Sequence, residues 1–188
     1  MNIAVLGAGM VGRTIAIDLA QSNNVTSFDI SQDNLNRLPG NIKSTQTDLR
    51  EFSNYSKILA PFNIVVNAVP GFMGYGTLEA IIRCRKPVVD ISFFPENALE
   101  LDALAKENGV TAIVDFGVAP GMSNFILGHH YAQMQVTDFT CMVGGLPKKR
   151  LFPFEYKAPF SPIDVLEEYS RPARYIENGF VVTKPALS

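Results

Sequence analysis

An α/β fold built on a doubly wound parallel sheet is what this sequence predicts, and three observations predict it. A short apolar run, Asn2–Leu6, ends in Gly7-x-Gly9-x-x-Gly12 and opens an amphipathic stretch. Apolar, β-branched runs then alternate with stretches of helical spacing as far as Asp115. Beyond Asp115 the chain becomes rich in proline and aromatic residues and carries one Asn-Gly turn, which reads as the start of a second, α+β unit.

The first strand is followed by a turn in which each glycine has its own task. Gly7 lets the chain leave the strand sharply, Gly9 leaves the backbone open to a ligand, and Gly12 lets the next helix lie close to the strand. The N–H groups of the first helical turn, around Met10 and Val11, sit at the positive end of the helix dipole and form an anion site. The second strand, Val25–Asp29, ends in an acid 20 residues after Gly9. A carboxylate at that spacing accepts hydrogen bonds from ribose hydroxyls. Strand, turn, helix and acid together form a dinucleotide-binding (Rossmann) unit for a pyrophosphate and a ribose.

The remaining elements follow in order. Ser31 caps a short helix to Arg37, and Pro39-Gly40 is a turn. Ile42–Thr47 is a weak third strand, and Leu49, Phe52, Tyr55 and Leu59 repeat at helical spacing. The run Phe62–Val69 is a buried parallel strand, Thr77–Cys84 a helix, and Pro87–Ile91 another buried strand. A helix from Glu96 to Lys106 starts after Pro95 and is stopped by Gly109, and Val110–Asp115 is the sixth strand. Pro120-Gly121 opens a helix to about Met134, and Val136–Val143 reads as a strand. Ser161-Pro162 caps a helix ending near Tyr169, and Arg174–Thr183 is a hairpin about Asn178-Gly179. The expected domains are residues 1–120, a connecting helix at 121–135, and a partial unit at 136–188. One helix and one hairpin do not make a stable domain by themselves.

Bulk composition narrows the function classes. The chain has 188 residues, 47% hydrophobic and 18% charged, with net charge −2, a balance that fits a soluble globular protein. No basic stripe points to nucleic acid, and Lys148-Lys149-Arg150 reads as a solvated loop. No apolar run reaches the ~20 residues that span a bilayer. Met1 leads directly into the first strand, so the expectation is no leader, no membrane and a cytoplasmic setting. Cys84 and Cys141, only two and far apart, do not form a disulfide framework or a zinc site, and His129-His130 has no spaced partner, so no metal is expected.

Several stretches together resemble the saccharopine dehydrogenase family, most closely its lysine dehydrogenase-like members. They are Ala68–Phe72, Val89–Asn97, Asp115–Asn124 with its Ala-Pro-Gly-Met-Ser-Asn, Gly144-Gly145-Leu146-Pro147, and Glu168–Arg174. The resemblance implies a nicotinamide cofactor and oxidoreduction at a C–N bond of an amino acid such as lysine or saccharopine, with hydride transfer and an imine intermediate. It also implies that the second unit is a substrate and dimerisation domain, hence a homodimer, and that family members run longer than this chain. The fingerprint alone is equally compatible with a non-catalytic dinucleotide-binding sensor or scaffold.

Site residues follow from position. Gly7, Gly9, Met10, Val11, Gly12 and Asp29 are expected at the cofactor. Ile30 and Ser31 after Asp29 are not basic, which leans to NAD, with NADP left open by Arg37. Asp48, after the third strand, either contacts adenine or caps a helix. Ala68, Val69 and Pro70 end the fourth strand, on the ribose and nicotinamide side. Asp90 and Ser92 end the fifth, with side chains on one face. Asp115, at the end of the sixth, either steers or deprotonates substrate or caps the next helix. Gly117, Pro120 and Gly121 are expected to shape the substrate pocket, and Arg171 to hold a substrate carboxylate through its bidentate guanidinium.

Overall fold

The structure, a computed structural model, describes residues 1–145, 147–157 and 161–188. The chain forms two compact units, Met1–Val143 and Gly144–Ser188.

The first unit is a six-stranded parallel sheet in the order β3-β2-β1-β4-β5-β6. The strands are β1 (Asn2–Leu6), β2 (Asn24–Asp29), β3 (Lys43–Gln46), β4 (Ile64–Asn67), β5 (Val88–Asp90) and β6 (Ala112–Ile113). Ile3 of β1 pairs with Val25 of β2 on one side and Ile64 of β4 on the other. β1 is central and buried on both faces. Ile3 and Val5 pack with Ala16, Val25, Ile42 and Val66, whereas Ala4 and Leu6 pack with Phe28, Val65, Leu78, Ile81 and Val88. A parallel strand covered on both faces has to read as a continuous apolar run, as β1 does. The strand order reverses at β1 and β4, and the crevice beyond their carboxyl ends is where such sheets bind ligands.

The helices are α1 (Met10–Leu19), α2 (Gln32–Leu35), α3 (Tyr55–Ile58), α4 (Gly71–Arg83), α5 (Asp102–Asn108) and α6 (Met122–Tyr131). The Ser31 cap is formed: its Oγ accepts from the Asn34 N–H at 3.3 Å. The expected helix over Leu49–Leu59 is shorter, a 3-10 turn at Phe52–Asn54 followed by α3. Tyr55 explains the difference, because its hydroxyl donates to the Leu49 carbonyl at 2.8 Å and ties that residue down as a buried anchor outside the helix. α4 begins at Gly71, well before Thr77. Gly74 and Gly76 lower the helix propensity of its first turns. Gly74 is nevertheless required, since a Cβ there would lie 2.3 Å from Ser92 Oγ and 2.7 Å from the Phe94 ring. The segment before α5 is a 3-10 turn, Ala98–Leu101, capped by Asn97, and Gly109 ends α5 at φ +66° as anticipated.

Two expected strands differ from the structure. The sixth is only two residues long because it pairs on one side, with the short β5. Val136–Val143 forms no strand. Among the described residues no strand pairs with it, and an isolated extended segment leaves its N–H and C=O groups to water.

The second unit contains α7 (Pro162–Glu168), with proline at its start, and the hairpin β7 (Ala173–Glu177) and β8 (Phe180–Lys184). Asn178 and Gly179 turn the hairpin at φ +51° and +84°, the paired positive values of a tight two-residue turn. Leu146, the third residue of the Gly144–Pro147 motif, lies outside the described residues. Among the described residues, no helix is long and apolar enough to cross a membrane, and no cluster of three metal-ligating side chains occurs.

Candidate functional site

The carboxyl ends of the parallel strands bring the Gly7–Gly12 turn, Asp29, Asp48, Ala68–Pro70, Asp90 and the Asp115–Gly121 loop to one edge of the first unit.

The glycine turn is the best-defined part. Gly7 has φ +98°, and a Cβ on it would meet the Ala68 carbonyl oxygen at 2.5 Å. A Cβ on Gly12 would meet the Gly7 carbonyl oxygen at 2.1 Å, so α1 packs directly on the turn. Gly9 differs: nothing lies within 4 Å of its Cβ position. Two glycines are therefore demanded by the protein's own packing, whereas Gly9 borders open space. It is also the N-cap of α1 and supplies no side-chain cap, so the helix presents its first N–H groups outward. Met10 and Val11 there are both exposed. An open, uncapped helix N-terminus fits a pyrophosphate.

Asp29 is nearly buried, at 9% exposure. Its Oδ2 accepts from the Ala8 N–H and its Oδ1 from the Ser31 N–H, each at 2.7 Å. The acid thus clamps the glycine turn to the end of β2, a role the sequence reading did not foresee. Asp48 is not a helix cap, because the 3-10 turn after it is entered through Glu51. Its carboxylate is held by the Arg50 guanidinium, with Nη2–Oδ2 at 2.6 Å and Nε–Oδ1 at 2.9 Å. That pairing pulls its pKa down to about 2.

At the end of β4, Ala68 is half-buried, Val69 buried and Pro70 exposed. Just below them is a polar cluster. Asp90 is fully buried, and its Oδ1 accepts from the Ser92 N–H at 2.8 Å and the Ser92 hydroxyl at 2.6 Å. Its Oδ2 accepts from the side-chain amide of Asn67, also fully buried. Burial outweighs these donors and pushes the Asp90 carboxyl up to about 6. Asp90 and Ser92 are therefore buried and bonded to protein atoms. Asn67 was not singled out from sequence. The signal for it was a lone amide closing the apolar run Ile64-Val65-Val66.

Asp115 is exposed and has φ +53°. The loop after it closes on itself: Gly117 N–H donates to the Pro120 carbonyl at 3.0 Å and Met122 N–H to the Gly117 carbonyl at 2.8 Å. Gly121, buried at φ +132°, has no room for a side chain, because a Cβ would lie 2.1 Å from the Gly117 oxygen. Asp115 does not cap α6, whose N-cap is Gly121, with Asn124 Oδ1 accepting from the Gly121 N–H. In the second unit, Arg171 is ion-paired with Glu167 one helical turn earlier.

Comparison with known proteins adds an independent line. A family model described as the saccharopine dehydrogenase NADP binding domain matches residues 3–113, and one described as the saccharopine dehydrogenase C-terminal domain matches residues 117–188. The NADP(+)-dependent, L-glutamate-forming saccharopine dehydrogenase of Saccharomyces cerevisiae is 26% identical over 193 residues, covering 97% of this chain and 43% of the relative. The mitochondrial alpha-aminoadipic semialdehyde synthase of Mus musculus is 24% identical over 194 residues, covering 96% of this chain and 21% of that protein. Among solved structures, apo saccharopine dehydrogenase (L-Glu forming) from S. cerevisiae superposes with a TM-score of 0.67 at 25% identity, over 98% of this chain and 44% of that one. The chain thus spans less than half the length of these relatives.

Proposed function

This chain belongs to the saccharopine dehydrogenase family, and from that premise we propose that it takes part in oxidoreduction at a C–N bond of an amino acid of the lysine or saccharopine type. Residues 3–113 carry the family's dinucleotide-binding domain. The family matches over residues 3–113 and 117–188 carry the proposal, and the open space at Gly9, framed by the tight contacts of Gly7 and Gly12, supports its dinucleotide site.

In this reading Gly9 and the N–H groups around Met10 and Val11 receive the pyrophosphate. Asp29 holds the turn and faces the ribose, and Asp48 with Arg50 borders the adenine side. Ala68, Val69 and Pro70 line the nicotinamide side. The bound nicotinamide supplies the hydride chemistry. Exposed Asp115 is the nearby acid for proton movement or for holding a substrate ammonium, and Gly117, Pro120 and Gly121 give the adjoining wall its shape. Arg171 belongs to the second unit, where it is ion-paired with Glu167, and is assigned no role at this edge.

For the adenosine end we propose NADP. The description of the matched domain and the name of the yeast relative support it. The lean to NAD rested on the absence of a basic residue at Ile30 and Ser31, and the family match weighs against it.

Calorimetric titration tests the proposal. The chain is expected to bind NADPH more tightly than NADH. Gly9→Val is expected to abolish binding of both with an unchanged melting temperature. Wild-type binding by a folded Gly9→Val protein removes the pyrophosphate assignment, and tighter binding of NADH reverses the cofactor choice.

A further inference from the structure

The cluster Asn67–Asp90–Ser92 joins segments that separately approach the site. Asn67 ends β4, immediately before Ala68–Pro70, and Asp90 ends β5. Ser92 lies on the turn that packs against α4 at Gly74. The backbone adds two ties: Ile91 N–H donates to the Asn67 carbonyl, and Phe116 N–H to the Asp90 carbonyl, each at 3.0 Å. Asp90 is thus where the turn after β4, the turn after β5 and the turn after β6 meet.

We propose that Asp90 is a positioning residue for dinucleotide binding: through Asn67 and Ser92 it sets the turn Ala68–Val69–Pro70 against the edge of the sheet without touching the ligand. The proposal rests on the dinucleotide reading above. Its chemistry is specific. Three donors converge on the carboxylate, two from Ser92 and one from Asn67. An ionised Asp90 accepts all three, whereas a protonated one brings a donor of its own and breaks the match. Asp115 is the charged group whose field reaches Asp90, and it disfavours ionisation; α4 faces the cluster with neutral Gly74, whose carbonyl accepts from Asn67. The folded-state value of about 6 places the change of state in an accessible range.

The test is a fluorescence titration of the whole chain with NADPH across that range, comparing wild type with Asp90→Asn and Ser92→Ala. The 2′-phosphate of NADPH titrates near the same pH, so the readout is the difference between wild type and variant. Asp90→Asn is expected to bind about fivefold more weakly at neutral pH, a fraction of the effect of a charged hydrogen bond. The gap should close as the pH falls below about 6, where wild type loses the ionised state. Ser92→Ala should weaken binding in the same direction, and it decides the matter where Asp90→Asn does not fold. Affinity equal to wild type at every pH in folded variants, whatever their melting temperatures, overturns the proposal. Failure of wild type itself to bind NADPH or NADH overturns the dinucleotide reading and this proposal with it.

Discussion

At the residue scale, glycines that look alike in the sequence serve different ends. Gly7 and Gly12 are needed by the fold, because any side chain there would run into backbone carbonyls. Gly9 is free of such contacts, so the packing of the fold does not itself exclude a side chain there. The acids divide in the same way. Asp29 and Asp90 are buried and bonded to the protein, Asp48 is held by Arg50, and Asp115 is exposed. Asp90 has a measurable consequence for folding. Its carboxyl titrates near 6 in the fold against an ordinary value of 3.8, so the native state binds the proton more tightly than the unfolded chain. Its contribution is complete below the unfolded value and is lost as pH rises through about 6. Relative to Asp90→Asn, wild type should therefore gain about 3 kcal/mol between neutral pH and the unfolded pKa, at roughly 1.4 kcal/mol per pKa unit. Urea unfolding of both proteins across this range measures it, and parallel profiles would contradict the buried, raised carboxyl.

At the element scale, local signals succeeded where they were strong and failed where packing chose otherwise. The Asn178-Gly179 hairpin formed at its anticipated place, because few residues other than Asn and Gly adopt its two positive φ values. Gly179→Val should cost the hairpin about 1 kcal/mol or more, from the strain of a side chain at φ +84°. Loss of cross-strand contacts between Tyr175 and Val182, followed by NMR, reports it, and an intact hairpin would show that other contacts hold the turn. The start of α4 was hidden because Gly74 reads as a helix breaker until its contact with Ser92 is known. The strand expected at Val136–Val143 has a suitable pattern and no pairing partner among the described residues. A strand is a relation between segments, so a pattern in one segment cannot create it.

At the scale of the whole molecule, the two units differ in how they bury apolar side chains. The first has a continuous core on both faces of its sheet. In the second, α7 and the hairpin leave Ile163, Leu166, Ile176, Phe180 and Val181 exposed. An isolated hairpin is marginal in water, because it has little apolar surface to bury against itself.

The sequence by itself determined the alternation of strands and helices, the glycine turn with its acid, and the family. These depend on local geometry and on side-chain order, both written directly in the chain. The tertiary structure decided what each polar group at the sheet edge touches. It tied Asp29 to Ala8, buried Asp90 against Asn67 and Ser92, and left Asp115 exposed. Those outcomes depend on burial and on donors such as Ala8 and Asn67, each more than 20 residues away along the chain. A residue's position along a strand places it at an edge, but only the packing around it decides whether it faces a ligand or the protein.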